Sequence, residues 1–394
     1  MFRRTATSLK NLLAAVLLLG LALVVAEVGL GWLAPPKPPA VTSQADAAVQ
    51  RLLVPSATRH HELKRSARLR MLGGPEFKTS SLGLRQTPDS RTGRNALRVL
   101  FLGDETVLSA RVGSKESLPG RLEQFLERAT QRQVHVINGG IPGYSPLLSW
   151  LAFRHELHRL EPDLVILHFG MNDVTDDAIY RRRLVSGEHA TVCANPLLDE
   201  FADGTGPLVR HVRDSALART ALQGLNAEAE LRSLAEQYQW TLGNADGLKL
   251  RIQHAIGPLR RFANAAKKQD FSLLVTTSPV PWQVTGSESF SDLANQLPDT
   301  QWPVAETLPS QILNAACRQY EVELCDPANA FRSFEQADRL YSPASVELSA
   351  YGNALYAREI AAKILKTSQF AALFESTGVA TVSDQSLSHP SGKH

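Results

Sequence analysis

Three turns in this chain carry residues whose types and spacing could do chemistry. An apolar run, Leu97-Arg98-Val99-Leu100-Phe101-Leu102, stops abruptly at Gly103-Asp104-Glu105-Thr106. A second run ends in Asn138-Gly139-Gly140-Ile141-Pro142-Gly143, and a third, Leu164 to Phe169, ends in Gly170-Met171-Asn172-Asp173. The first turn offers two consecutive acids. The second offers backbone N–H groups, because its glycines and proline force a turn that lets the main chain approach whatever lies above it. Thr106 and Ser109 supply hydroxyls without a neighbouring base, so capping the following helix is their expected role. His168 lies inside the third apolar run, where a core histidine with satisfied nitrogens is the plainer reading than a catalytic one.

The elements around these turns follow from periodicity. Ser117 to Thr130 has apolar Leu118, Leu122, Phe125 and Leu126 at helical spacing, and Leu147 to Leu160 reads as a helix closed by Glu161-Pro162-Asp163. Leu250 to Ala266, Leu308 to Tyr320 and Ala350 to Leu365 are further helices, with strands at Phe271 to Thr277 and Val322 to Cys325. Strands alternating with helices at this spacing predict an α/β fold: three layers, with a central parallel sheet between helices. In such a sheet, ligands meet the chain beyond the carboxyl ends of the strands, where the three turns stand.

Composition narrows the classes. The 394 residues carry a formal net charge of +3, and the basic residues are spread out, which gives no nucleic-acid footprint. Three consecutive arginines, Arg181 to Arg183, either steer an anionic ligand or form a solvated helix face. The N-terminus has Arg3, Arg4 and Lys10 before an apolar stretch from Leu12 to Ala34 that contains one charge, Glu27. About 20 such residues span a bilayer, so residues 1–34 are expected to be an anchor or a signal segment, with the rest delivered outside the cytoplasm. Pro35, Pro36, Pro38 and Pro39 open a stiff linker, and residues 35–95 read as linker and loosely packed arm without function. The main domain is expected over 96–367, with an insertion at about 186–247 that could cap the site, and 368–394 as a polar tail. Cys317 and Cys325 either pair or are small buried hydrophobes, with Cys193 left over. No spacing resembles a metal site, and no cofactor is called for.

The order of the three turns resembles the motif blocks of the SGNH/GDSL hydrolases: strand-Gly-Asp-Ser, strand-Asn-x-Gly with a Pro-Gly turn, strand-Gly-x-Asn-Asp. The resemblance runs from about Leu97 to Leu365 and is strongest with the membrane-tethered members that begin with one apolar segment. It implies a flavodoxin-like sheet and an ester hydrolase whose oxyanion is held by the nucleophile backbone, by Gly140 and by Asn172. Donors of that kind are worth several kcal/mol where charge develops. It also makes Gly103, Asp104, Gly170 and Asp173 supporting residues, with Asp104 and Asp173 tying loops together.

The triad positions depart from the family. Glu105 stands at the serine position, Ala344 at the aspartate position and Glu347 at the histidine position. Between His254 and His389 there is no histidine at all. A triad works as a unit, so ordinary serine-esterase chemistry is expected to be lost. The expected role is then binding of an acylated saccharide or an envelope partner. The alternative is a hydrolase of altered mechanism, in which Glu105 and Glu347 share one space, and with it a proton or a cation. Glycosidic cleavage by such a pair needs roughly 5 Å or more between the carboxyls.

Overall fold

The computed structural model describes residues 22, 48–70, 76–87, 96–186, 191–193, 195, 234–242, 246–284, 308–343 and 345–375. The chain divides into two units, Met1–Thr42 with Asp199–Arg232, and the remainder; apart from Ala22, the first lies outside the described residues. So do the expected membrane segment, the proline spacer, most of the insertion, Ala344 and the tail from 376. Among the described residues no helix is long and apolar enough to cross a membrane.

The arm from residue 48 is part of the same unit as the main domain, contrary to the loose packing expected of it. Strands β1 (Leu53–Ser56) and β2 (His60–Leu63) pair antiparallel, as do β3 (Arg68–Arg70) and β4 (Glu76–Lys78). Val49, Leu63 and Phe77 are buried in one cluster with Leu108 and Ala110. Arg59 is also buried, and donates to Glu62 and Glu156 at 2.8 Å each. Strands of three and four residues are too short for alternation to show in sequence, and their partners are remote, so no local pattern announced this packing.

Beyond the arm the chain winds an α/β sheet. Strand β5 (Leu97–Gly103) leads through a short helix α1 (Glu105–Leu108) into α2 (Leu118–Thr130), then β6 (Val134–Gly140), α3 (Pro146–His155), β7 (Leu164–Phe169) and α4 (Asp173–Arg181). After a small ribbon of β8 (Leu184–Ser186) and β9 (Thr191–Cys193) come α5 (Lys249–Gln269), β10 (Ser272–Thr277), α6 (Leu308–Gln319), β11 (Glu323–Cys325), α7 (Ala350–Lys366) and α8 (Ser368–Glu375). The central sheet runs β6-β5-β7-β10-β11, parallel throughout. This winding reverses between β5 and β7. That is the switch point where a crevice opens at the strand ends.

Both faces of the sheet are covered. Val99, Phe101, Val136 and Ile166 face α2 and α7 through Leu122, Leu126, Tyr356 and Ile360. Leu100, Leu102, Val165 and Leu167 face the other way, toward Leu148, Leu151, Leu259 and Phe262. Burying one such side chain contributes about 1.5–3 kcal/mol, so alternate residues of β5 weld two helical layers to one strand.

Three expectations shift in detail. The helix expected over Leu147 to Leu160 is α3 followed by a 3-10 turn at Leu157–Leu160, broken at Glu156, whose carboxylate is held by Arg59 and Arg65. The domain runs past 367, because α8 buries Phe370 against α7. The three cysteines are buried and free, so Cys317 and Cys325 act as small hydrophobes, and burial pushes both thiols up to about 12.

Candidate functional site

The turn after β5 is built by its own capping chemistry. Asp104 is the N-cap of α1, its Oδ1 accepting the Thr106 N–H at 2.9 Å. Ser109 ends the helix in the left-handed region at φ 51°, and its Oγ accepts the Leu118 N–H at 3.1 Å, while the N-cap of α2 is Ser117, whose side chain accepts the Gly120 N–H. Two side chains gather the carbonyls at the end of α1. Asn138 Nδ2 donates to Val107 O at 3.1 Å, and the buried Arg85 guanidinium donates to Leu108 O and Val112 O at 2.6 Å each. Glu105 is thereby held at the first position of a fixed turn.

The half-buried Glu105 carboxylate faces two donors. Gly143 N–H donates to its Oε2 at 3.1 Å, and Asn172 Nδ2 approaches its Oε1 at 3.4 Å. Asn172 Nδ2 also donates to Asp176 Oδ2 at 2.9 Å. Gly140 stands elsewhere: its N–H donates to Asn138 Oδ1 at 3.0 Å, and a Cβ there would sit 2.2 Å from Leu108 N. Gly140 therefore lets β6 pack against α1. Gly143 has φ 70°, and a Cβ would lie 3.2 Å from the Tyr180 hydroxyl. Sequence reading placed the backbone donor at the strand end; the donor facing Glu105 comes three residues later, in the Pro-Gly turn.

Glu347 has a different partner. Arg111 Nε lies 3.2 Å from its Oε2, with both side chains mostly buried. Nothing local in the sequence marked Arg111 as the counter-charge. Tyr238, from the returning end of the insertion, is 5% exposed and packs edge-on against Trp282 at 5.3 Å. Burial pushes its phenol well above the usual range, and the charges of Glu105, Asp104, Asp176 and Glu347 add to this.

Beneath the turn lie two buried acids. Burial pushes Asp104 up to about 6, and it pushes Asp173 well above the carboxylate range, with the Asp104 and Asp176 charges adding. Asp173 Oδ2 accepts the Gly170 N–H at 2.7 Å, a bond within its own turn, while its Oδ1 is buried without a hydrogen-bond partner. The rim of Gly103 and Gly170 leaves space for these groups: a Cβ on Gly170 would lie 2.6 Å from Asp104 Oδ2, and one on Gly103 2.8 Å from His168 Cβ.

His168 is satisfied on one side only. Thr276 Oγ1 donates to Cys325 O at 3.0 Å, so the Tyr356 hydroxyl, 2.7 Å away, donates to Thr276. Tyr356 then accepts from His168 Nδ1–H at 3.0 Å. The bare Nε2 has no hydrogen-bond partner and faces Asp104 Oδ1 at 3.8 Å. Burial pushes this imidazole down to about 3, which keeps it neutral.

No known family model matches this chain, and no curated protein matches it. Among solved structures, it overlaps the lipase/acylhydrolase from Enterococcus faecalis with 11% identity over 68% of this chain and 94% of that one, at a TM-score of 0.38. The acetyl xylan esterase AlAXEase shares 15% identity over 66% and 96%, at 0.37. Axe2, an acetylxylan esterase from Geobacillus stearothermophilus, shares 12% over 68% and 94%, at 0.39. Overlaps this loose leave the functional reading to the site itself.

Proposed function

We propose that this chain is a degenerate protein of the SGNH/GDSL type, without serine-esterase chemistry, that binds an acylated saccharide or an envelope partner. In this reading the N-terminal apolar segment tethers it to the membrane and the domain stands on the extracytoplasmic side. The observation that carries the proposal is Glu105: its carboxylate accepts from Gly143 N–H and lies against Asn172 Nδ2, the two donors best placed for an acyl oxygen. A carbonyl oxygen cannot use donors already turned to the Glu105 carboxyl group. On this reading the role that the resemblance gives Gly140 falls to Gly143.

The altered-mechanism reading is weaker. The Arg111–Glu347 ion pair gives Glu347 a cationic partner, whereas a proton shared with Glu105 needs two competing carboxylates. The full chain, given p-nitrophenyl acetate, should show no turnover above its Glu105→Ala variant. Acetylated xylo-oligosaccharides should bind with their acetyl signals intact by NMR. Ester cleavage that disappears in Glu105→Ala would overturn the proposal.

A further inference from the structure

We propose that Arg183, His60 and His61 form a one-way hydrogen-bond relay that orients the Pro142–Gly143 peptide and strengthens its N–H as the donor toward position 105. It rests on the reading of Gly143 as an anion donor given above.

The direction of every bond is fixed by the two ends. A guanidinium has donors only, so Arg183 Nη1 donates to His60 Nε2 at 2.7 Å. The His60 proton must then sit on Nδ1, from which it is donated to His61 Nδ1 at 3.0 Å. The His61 proton is left on Nε2 and is donated to Pro142 O, 2.8 Å away, an atom that can only accept. That carbonyl and the Gly143 N–H belong to one peptide unit, and the N–H donates to Glu105 Oε2 at 3.1 Å. A bond received at the carbonyl draws density from the amide nitrogen, so each bond in such a chain strengthens the next.

Two further features fit a positioning role. Successive side chains on a strand point to opposite faces, yet these two rings meet, because His60 has φ 63°. A non-glycine residue in that region is strained, and the surrounding contacts must offset the strain. They do so by clamping the pair: Tyr144 donates its hydroxyl to His61 O at 2.7 Å, and the Tyr180 ring lies 5.0 Å from His60 and 5.9 Å from His61. An added proton on either ring would set two donors face to face. Burial opposes it as well, pushing His60 down to about 3 and His61 to about 4, so the relay stays neutral at ordinary pH.

The test uses the full chain labelled with 15N-histidine, 15N-glycine and 13C′-proline. Only two Pro-Gly peptides exist, Pro119–Gly120 and Pro142–Gly143, so the first is an internal control for fold. In the wild type a nitrogen–nitrogen coupling across the hydrogen bond should join the two Nδ1 atoms, with the proton on His60. His61→Phe should move the Gly143 amide proton upfield and leave Gly120 in place. His60→Phe, which removes no atom touching Pro142 or Gly143, should move it the same way by less. A wild type without the coupling, a proton on His61 Nδ1, or a Gly143 proton indifferent to both variants overturns the relay. The wild-type measurement decides alone if the variants fail to fold. Ester turnover by the wild type would overturn the functional reading and leave the relay standing.

Discussion

The donor side of the site and the side where the resemblance would place a triad are built differently. On the donor side, Gly143 and Asn172 still converge on one point from the turns after β6 and β7, and a histidine relay stands behind one of them. On the other side, where the resemblance would put a nucleophile and its base, stand two acids, Glu105 and Glu347, the second paired with Arg111. The difference is physical. Backbone donors are set by turn geometry that the fold itself needs, since Gly140 and Gly143 sit where a side chain meets main chain or a tyrosine hydroxyl. The side chains of Glu105, Glu347 and Asn172 answer to no such constraint on the backbone.

The largest effect should come from rebuilding the triad side alone. Glu105→Ser, Ala344→Asp and Glu347→His together should raise p-nitrophenyl acetate hydrolysis on the order of 10³-fold over wild type, because a base-activated hydroxyl then faces donors already aimed. No gain would mean that the donor side is not intact. Gly140→Ala and Gly143→Ala separate the fold's glycine from the site's. The first drives a Cβ to 2.2 Å from backbone and should lower stability by about 3 kcal/mol or more in urea melts. The second forces a φ of 70° on alanine and should lower it by about 1–2 kcal/mol while displacing the Gly143 amide signal. Equal losses would erase the distinction.

The buried layer under both sides responds to pH. Folded Asp104 keeps its proton up to about 6, whereas an unfolded aspartate releases it near about 4. Wild-type stability therefore falls as pH rises through that window and remains lower above it. Asp104→Asn should flatten that segment of the Tm–pH profile, and an unchanged slope would show that Asp104 is ionised in the folded chain. The smallest effect belongs to the triad side: a double-mutant cycle of Arg111→Ala and Glu347→Ala should give a coupling of about 1 kcal/mol, since both groups keep partial access to water.

Much of the frame was legible in the residues. The runs Leu97 to Leu102 and Leu164 to Phe169 are apolar throughout because both faces of their strands are buried, and the glycines ending them mark close approach of main chain to main chain. What failed was assignment within a turn: Asn-Gly-Gly-Ile-Pro-Gly offers several N–H groups, and only the path of the chain decides that Asn138 takes Gly140's and Glu105 takes Gly143's. The arm was misread for a related cause. Its two histidines act through Arg183, more than a hundred residues away, and no periodicity connects them.

The sequence by itself determined the layered α/β fold, the three turns at the strand ends, and the presence of Glu105, Ala344 and Glu347 at the positions where the resemblance would put a triad. These depend on local pattern and residue type. The tertiary structure decided where each proton and charge is held: Glu105 against the two donors, Glu347 against Arg111, Asp104 beside a neutral His168, and the N-terminal hairpin behind Gly143. Hydrogen bonds and ion pairs act over about 3 Å in space and are blind to separation along the chain, so only the folded arrangement selects among the partners that composition allows.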